Sequence, residues 1–182
     1  MKAKFGLVLA PGASAGPDQP ALVAIEKAVT AVGGAVARIS IGKGSAERAA
    51  PKAEAELQEL ADSSGLALDQ IFSGGRSFGA RVFSMVVAAG TPSAGLVLVS
   101  YPLYPPGKPD QLRTEHFPKL KLPCLFVSGT RDAFGTPAEM ERATKKIKGP
   151  VKHVWIEGGN HGLRGKDAEV ADAVAAWLGV DH

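Results

Sequence analysis

The chain has 182 residues and a mass of 18.8 kDa, the size of one domain. Apolar residues make up 45% and charged residues 21%, so a sizeable core can form and intrinsic disorder is excluded. The net charge is +3, and the basic residues neither cluster nor alternate with aromatic residues, which argues against a nucleic-acid partner.

The N-terminal segment resembles a signal peptide, with basic residues before the apolar run Phe5–Ala10. That run is shorter than the roughly 7–15 residues of a true secretory core, and no window approaches the ~18 apolar residues of a membrane span. The single cysteine, Cys124, lies in an apolar run and is expected to be a buried small side chain. We therefore expect a cytoplasmic protein with no membrane partner.

Short apolar runs alternate with segments of helical periodicity, a pattern typical of β-α units around a mostly parallel sheet of about six strands. The runs are bounded by Gly, Pro or Ser, as strands buried on both faces usually are. No linker or charge block divides the chain, so residues 1–182 are predicted to form one α/β domain. The predicted strands are Lys4–Ala10, Ala35–Ile41, Gln70–Ser73, Gly95–Ser100, Pro123–Ser128 and Val151–Ile156.

The first two helices are predicted from apolar spacing and from cap residues. Asp18 is a candidate N-cap for the first helix, which should end at Gly33-Gly34. The apolar face of that helix contains Leu22, Ile25, Val29 and Val32. The second helix, predicted over Pro51–Asp62, has few large apolar residues and should lie at the surface.

Three further helices complete the pattern. One begins directly after Ser77 and ends before Gly90. Another opens with Thr136-Pro137-Ala138-Glu139, a capping box with proline at the first helical position. The last runs from about Asp167 to Leu178, with an apolar stripe along one face.

Most motifs for cofactors fail on spacing. Gly42-Lys43-Gly44-Ser45 lacks the G-x-x-x-x-G-K-[ST] spacing of a phosphate loop, and no G-x-G-x-x-G follows the first strand. The histidines show no zinc-binding spacing. The sequence therefore predicts neither a metal nor a cofactor.

The pattern Gly75-Arg76-Ser77-Phe78-Gly79 fits a nucleophile elbow, because it follows an apolar strand and opens an apolar-faced helix. Asp132 and His161 follow the last two predicted strands, and the order Ser, Asp, His is that of α/β-hydrolases. Taken alone, Asp132 could be a turn residue and His161 a surface histidine. Together they predict a catalytic triad at the carboxyl edge of the sheet.

An oxyanion hole requires two backbone amides. The amide of Phe78, directly after the nucleophile, is one candidate, and the amide of Ala13 in the loop after the first strand is the other. Candidate substrate contacts are Gly12, Arg76, Tyr101, Tyr104 and Phe134. Arg76 could instead be a solvated elbow residue, and the two tyrosines and Phe134 could pack in the core. His116 is interpreted as a loop residue.

The chain resembles small α/β-hydrolases near the dienelactone-hydrolase branch, and is similar to bacterial relatives of testis-expressed protein 30 and of the hydrolase-like subunit of the NSL complex. Three segments carry the resemblance: 74–79, 101–109 and 129–135. It implies the triad named above and a three-layer hydrolase fold that needs no cofactor. No cap domain is predicted, because the stretch from Tyr101 to Leu122 has only 22 residues, five of them prolines. The family usually begins its oxyanion loop with His-Gly, whereas this chain has Pro11-Gly12, and Gly79-Ala80 stands where Gly-Gly is frequent.

The sequence thus predicts a serine hydrolase acting on a small-molecule ester, thioester or related acyl substrate, as a monomer or homodimer. A non-catalytic interaction module that retains the same fold is the alternative. An intact triad favours the enzyme, and Pro11 favours the alternative.

Overall fold

A computed structural model describes residues 3–179, so the two ends of the predicted domain lie outside the described residues. Six parallel strands form one sheet in the order β2-β1-β3-β4-β5-β6. The chain leaves β1 toward β2 and returns to β3 on the other side, which creates a switch point between β1 and β3. The strands are β1 Phe5–Ala10, β2 Gly34–Arg38, β3 Ile71–Arg76, β4 Leu96–Val99, β5 Cys124–Gly129 and β6 Val151–Ile156.

Five α-helices cover the two faces of the sheet. Two of them, α1 and α5, pack on one face, while α2, α3 and α4 pack on the other. The result is the predicted three-layer α/β arrangement. The helices are α1 Pro20–Ala31, α2 Ala46–Ser64, α3 Phe78–Ala88, α4 Pro137–Thr144 and α5 Asp167–Leu178.

Alternation along β4 explains why a short apolar run becomes a central strand. Leu96 and Leu98 belong to the core beneath α2 and α3, whereas Val97 and Val99 belong to the core beneath α1 and α5. All four side chains are fully buried. A strand with apolar residues on both sides is stabilised only when both faces of the sheet are covered.

The first helix departs from the prediction at both ends. Its N-cap is Gln19, and the Asp18 carboxylate instead accepts a hydrogen bond from the Arg38 guanidinium at 2.9 Å. The prediction that Asp18 caps the helix was wrong, because the helix begins one residue later and the Asp18 side chain pairs with Arg38 instead. Val32 is 42% exposed and follows the helix, so it does not belong to the buried face.

The second helix begins five residues earlier than predicted, at Ala46, and ends at Ser64. Ser45 is its N-cap, with Oγ accepting a hydrogen bond from the Arg48 amide at 3.4 Å. Pro51 therefore lies inside the helix rather than at its start. Small buried alanines on the inner face pack this helix against the sheet, and this tertiary contact outweighs the hydrogen bond that proline cannot donate.

Two strand ends differ from the prediction by three residues, and other strand boundaries shift by one. The second strand ends at Arg38 instead of Ile41, and the third continues to Arg76 instead of stopping at Ser73. Gly74 lets the third strand lie close to the fourth, because a β-carbon at this position would be 2.0 Å from the Val97 carbonyl oxygen. The glycine pair thus extends the strand up to the edge where Ser77 follows. The capping box at Thr136 and the last helix match the prediction.

Candidate active site

Ser77 occupies the sharp turn between β3 and α3, with φ of 50° and ψ of −107°. Its amide donates a hydrogen bond to the Val99 carbonyl at 2.8 Å, which ties the turn to the neighbouring strand. A β-carbon at Gly75 or Gly79 would lie 2.0 or 2.2 Å from the Ala10 carbonyl oxygen. The two glycines therefore allow the turn to approach β1, as a nucleophile elbow requires.

His161 and Asp132 reach Ser77 from the loops after β6 and β5. The Ser77 Oγ lies 2.9 Å from His161 Nε2. The other ring nitrogen, Nδ1, lies 3.0 and 2.9 Å from the two Asp132 carboxylate oxygens. The structure thus brings together the three side chains predicted from the order of the motifs. In this arrangement Nε2 can take the hydroxyl proton while the carboxylate keeps the ring proton on Nδ1.

Asp132 is 3% exposed, yet its carboxylate is well supplied with donors. Besides His161, the Phe134 amide donates a hydrogen bond to Oδ1 at 2.8 Å. This short turn fixes the carboxylate beneath the imidazole. The Phe134 ring lies against the His161 ring with a centroid separation of 4.0 Å, and so limits the motion of the base.

Arg76 connects the elbow with the histidine loop. Its guanidinium donates a hydrogen bond to the His161 carbonyl oxygen at 2.8 Å. Burial lowers the pKa of Arg76, and the nearby carboxylates of Asp132 and Asp167 oppose that shift. Arg76 lines the cleft as predicted for a substrate contact, but this hydrogen bond gives it a role in positioning His161.

The predicted oxyanion loop approaches the elbow from β1. The Pro11 carbonyl accepts a hydrogen bond from the Gly79 amide at 3.0 Å, and the Gly12 amide donates to the Gln19 side-chain oxygen at 3.0 Å. Ala13 and Phe78 are both among the residues that line the cleft, and neither amide donates a hydrogen bond within residues 3–179.

Gln19 is a residue that the sequence reasoning missed. The family resemblance expects a histidine to support this loop, and Pro11 cannot donate a hydrogen bond. The Gln19 side chain, seven positions along the chain from Gly12, supplies the contact instead. An amide side chain at the start of the helix that follows the loop is the signal that could have suggested it.

The cleft beside Ser77 has a volume of about 460 Å³. It lies between the oxyanion loop, the segment that follows β4, and Phe134. Gly12, Arg76 and Phe134 line it as predicted, and Gly44, Arg81, Pro102, Pro106 and Arg113 do so without having been predicted.

The two candidate tyrosines do not line this cleft. Tyr101 is fully buried, and its hydroxyl donates to the Arg113 carbonyl at 2.7 Å, so burial raises the pKa of the phenol. Tyr104 is also buried, and its hydroxyl donates to Glu139 Oε2 at 3.2 Å. Tyr101 and Tyr104 therefore do not line the cleft as the predicted substrate contacts would, since each ring packs in the core under the loop that follows β4.

His116 and Cys124 lie away from the cleft. The Nε2 atom of His116 lies 2.8 Å from the Ser84 Oγ, and burial lowers the pKa of this histidine to about 4. Cys124 is buried in β5, and burial raises the pKa of its thiol to about 12. Neither group is suited to the chemistry at Ser77.

Within residues 3–179, no group of three His, Cys, Asp or Glu side chains is arranged to hold a metal ion. None of the helices in this part of the chain is both long and apolar enough to cross a membrane.

Comparison with known proteins places these features in a family. Est1E from Butyrivibrio proteoclasticus is similar in structure, with a TM-score of 0.83 at 15% identity over 98% of this chain and 88% of that one. The esterase domain of a Rhodothermus marinus protein gives a TM-score of 0.77 at 16% identity, over 98% and 88%. Dienelactone hydrolase from Anabaena variabilis gives 0.78 at 17% identity, over 96% and 85%.

These likenesses show the fold. A family model described as an alpha/beta hydrolase domain matches residues 3–177. Because this match spans nearly the whole sequence, the chain belongs to the α/β-hydrolase family.

Proposed function

We propose that the protein is a serine hydrolase that cleaves an ester, thioester or related acyl substrate with Ser77, His161 and Asp132. The observation that carries this proposal is the separation of 2.9 Å between Ser77 Oγ and His161 Nε2, on a histidine whose Nδ1 faces a buried carboxylate. A nucleophile, a base and a group that orients the base are the three parts that acyl transfer requires.

The reaction proceeds in two halves. The Ser77 Oγ attacks the acyl carbon while Nε2 of His161 takes the hydroxyl proton. The bond to the leaving group then breaks, the leaving group takes that proton, and the acyl group stays on Ser77. Water next gives a proton to Nε2 and its hydroxyl attacks the acyl carbon, so the acid is released and Ser77 recovers its proton.

The amides of Ala13 and Phe78 stabilise the negative charge that develops on the acyl oxygen. Both border the cleft and have no other acceptor within the described residues. Removing one such donor from a serine hydrolase typically costs about 10²–10³ in kcat. Asp132 holds the imidazole in the tautomer that accepts the serine proton, and stabilises the imidazolium that forms.

The alternative is an interaction module that retains the fold without catalysis. Its support is Pro11, which replaces the usual histidine of the oxyanion loop. The Gln19 contact to the Gly12 amide weakens that argument, because the loop has a hydrogen-bond partner in spite of the replacement.

Finer assignments also remain proposals. The motifs favour a position near the dienelactone-hydrolase branch, among relatives of testis-expressed protein 30. We propose a single domain that acts without a cofactor in the cytoplasm, where the lone buried thiol of Cys124 stays reduced. The substrate is a small acyl compound, and the oligomer is a monomer or a homodimer.

Labelling with a fluorophosphonate tests the proposal. We expect one phosphonyl group per chain, on the peptide that contains Ser77, and we expect Ser77→Ala to abolish both labelling and the hydrolysis of p-nitrophenyl acetate while the circular dichroism spectrum stays unchanged. The loss of activity should be large because triad members act as a unit.

Ser84→Ala is the matched control, because Ser84 also contacts a histidine, at 2.8 Å, but is fully buried. It should keep the label. An unlabelled wild-type protein, or wild-type turnover in Ser77→Ala, would favour the interaction module.

A further inference from the structure

The cleft beside Ser77 is strongly positive. Three arginines, Arg76, Arg81 and Arg113, are among its lining residues, and no aspartate or glutamate is. The Asp132 carboxylate lies beneath His161 and is almost fully buried, so it does not face the opening. A cleft of this composition attracts anions, because low-dielectric walls strengthen the field of the guanidinium groups.

The three arginines differ in the partners that their guanidinium groups contact. Arg76 donates a hydrogen bond to the His161 carbonyl oxygen and is therefore held against the histidine loop. Arg81, one helical turn after Ser77, has its Nη2 atom 3.9 Å from the Glu47 carboxylate, whose side chain is 62% exposed. That separation is too long for a hydrogen bond, and such an exposed contact contributes little.

Arg81 also contains a buried donor without a partner. Its Nε atom is shielded from solvent and makes no hydrogen bond within residues 3–179. A buried donor left unsatisfied costs about 1–3 kcal/mol. The side chain as a whole is 22% exposed and lines the cleft, so an acceptor there can reach other atoms of Arg81.

Arg113 is held in place by its backbone rather than by its charge. Its amide donates to the Leu103 carbonyl at 2.7 Å, and its carbonyl accepts from the Tyr101 hydroxyl at 2.7 Å. No carboxylate forms an ion pair with its guanidinium in the described part of the chain. Burial and the nearby charge of Arg81 both lower the pKa of Arg113, and both arginines line the cleft.

A second cavity of about 580 Å³ adjoins the cleft, and Arg81 and Arg113 line both. The other charged residues that line the second cavity are Lys146, Asp110 and Glu115. The cleft beside Ser77 is therefore the more positive of the two cavities, because its lining contains no carboxylate.

We propose that Arg81 and Arg113 form a subsite for an anionic group, a carboxylate or a phosphate, carried by the acyl substrate that Ser77 attacks. This inference rests on the proposed hydrolase function. Guanidinium groups bind the oxygens of both anions through paired N–H donors, which fix the orientation as well as the charge of a ligand. An acyl group anchored here presents its carbonyl to Ser77, and the rest of the molecule can extend into the second cavity.

The test compares three p-nitrophenyl esters of similar length: the neutral butyrate, the anionic hemisuccinate and the 3-phosphonopropanoate. We expect wild-type kcat/KM to be at least tenfold higher for one or both anionic esters than for the butyrate. A larger gain with the hemisuccinate identifies a carboxylate as the natural anion, and a larger gain with the phosphonate identifies a phosphate.

The variants are compared by the ratio of kcat/KM for the better anionic ester to kcat/KM for the butyrate. Arg113→Gln and Arg81→Gln should each lower this ratio at least tenfold, and Arg113→Glu should bring it below one. Arg142→Gln is the matched control, because it removes the same charge from α4, outside both cavities, and should preserve the ratio.

The outcomes separate the subsite from the hydrolase. A wild-type enzyme that hydrolyses all three esters with no preference, or a ratio that the arginine variants leave unchanged, overturns the subsite and leaves the hydrolase standing. A chain that hydrolyses none of the esters overturns the proposed function.

Binding then tests the subsite without turnover. Calorimetry with the stable anilide N-(4-nitrophenyl)succinamic acid should give tighter binding to the wild type than to Arg113→Gln by at least tenfold. Absence of measurable binding to the wild type overturns the subsite.

Discussion

Ser77 has a backbone conformation that residues with a β-carbon seldom adopt, and its neighbours hold it there. Its φ of 50° is maintained by the hydrogen bond from its own amide to Val99 and by that from the Gly79 amide to Pro11. Such a conformation costs of the order of 1–3 kcal/mol and persists only where the surroundings determine it. In this conformation the Ser77 Oγ already lies 2.9 Å from His161 Nε2, as the proposed reaction requires.

Gln19 supports the loop that contains one of the two proposed oxyanion donors. Its side-chain oxygen accepts a hydrogen bond from the Gly12 amide, next to the Ala13 amide that we propose for the oxyanion hole. Gln19→Leu removes the acceptor and keeps a similar volume, so the loop can relax away from the elbow. We expect kcat to fall by roughly tenfold or more with a small change in KM, since the lost interaction acts mainly in the transition state.

The matched control for Gln19 is Gln58→Leu, an exposed glutamine of α2 that lines neither cavity. It should keep wild-type kcat. Steady-state kinetics with p-nitrophenyl acetate measure both variants. A Gln19→Leu enzyme with normal kcat would mean that the loop holds its shape without this contact.

We expect His116 to make the stability of the fold depend on pH. Burial, and to a smaller degree the charges of Arg81 and Lys119, lower its pKa to about 4, while Glu115 acts in the opposite direction. An unfolded histidine titrates near ~6.5, so between these values the unfolded chain binds more protons than the folded one. The stabilisation is complete above about pH 6.5 and is lost as the pH falls toward about 4.

Urea unfolding at several pH values between 7.5 and 4 measures this effect. The free energy of unfolding of His116→Gln should fall less over this range than that of the wild type. Some loss remains in the variant, because burial also lowers the pKa of His153. Parallel curves for the two proteins would show that His116 does not contribute to the acid sensitivity.

At the scale of elements, contact between α3 and β1 fixes the elbow. A β-carbon on Gly79 would lie 2.2 Å from the Ala10 carbonyl oxygen and 2.7 Å from the Ala10 β-carbon. Gly79→Ala must therefore push the helix away from the strand, and overpacking of this kind costs about 1–3 kcal/mol. We expect a lower Tm and a loss of activity larger than the loss of stability accounts for, because Ser77 moves with the helix.

Gly16→Ala provides the comparison for Gly79→Ala. Gly16 lies in the oxyanion loop without a positive φ, and a β-carbon added there would have no atom within 4 Å. The Tm of this variant, measured by differential scanning calorimetry, should match that of the wild type. A Gly79→Ala protein as stable and as active as Gly16→Ala would show that the elbow tolerates a wider separation from β1.

Elements with strong local signals were predictable, whereas contacts between distant segments were not. The strand over Val151–Ile156 and the capping box at Thr136 depend on neighbouring residues, and both match the prediction. The start of α2 was missed because proline favours a first turn locally, and packing overrode that preference. The proximity of Ser77, Asp132 and His161 could also be predicted. Each of them follows a predicted strand, and the carboxyl ends of parallel strands meet at one edge of the sheet.

The features of the fold and of the site that the sequence did not reveal depend on tertiary contacts. Asp18 pairs with Arg38, which lies twenty positions away, and no local sequence pattern predicts this contact. Arg81 and Arg113 come from a helix and a loop that meet only in the folded chain. The core position of Tyr101 depends on Phe117 and Phe126, whose rings lie 5.3 and 6.0 Å from its own.

At the scale of the molecule, access to Ser77 is set by the segment between β4 and β5. Within this segment the structure has one short 3-10 turn, Phe117–Lys119, and no α-helix. Its six prolines disfavour a helical cap and stiffen the loop. Two of them, Pro102 and Pro106, form part of the cleft wall.

An uncapped cleft of about 460 Å³ offers little apolar surface to a long acyl chain. A deep apolar tunnel would stabilise the transition state by ~0.8 kcal/mol per buried methylene, or roughly fourfold in kcat/KM for each one. Here each added methylene beyond the first few remains in solvent, so we expect kcat/KM for p-nitrophenyl esters to reach its maximum between acetate and butyrate and to rise no further out to palmitate. Steady-state kinetics across this series measure the dependence, and a continued rise to the longest chains would require an apolar tunnel that this cleft does not contain.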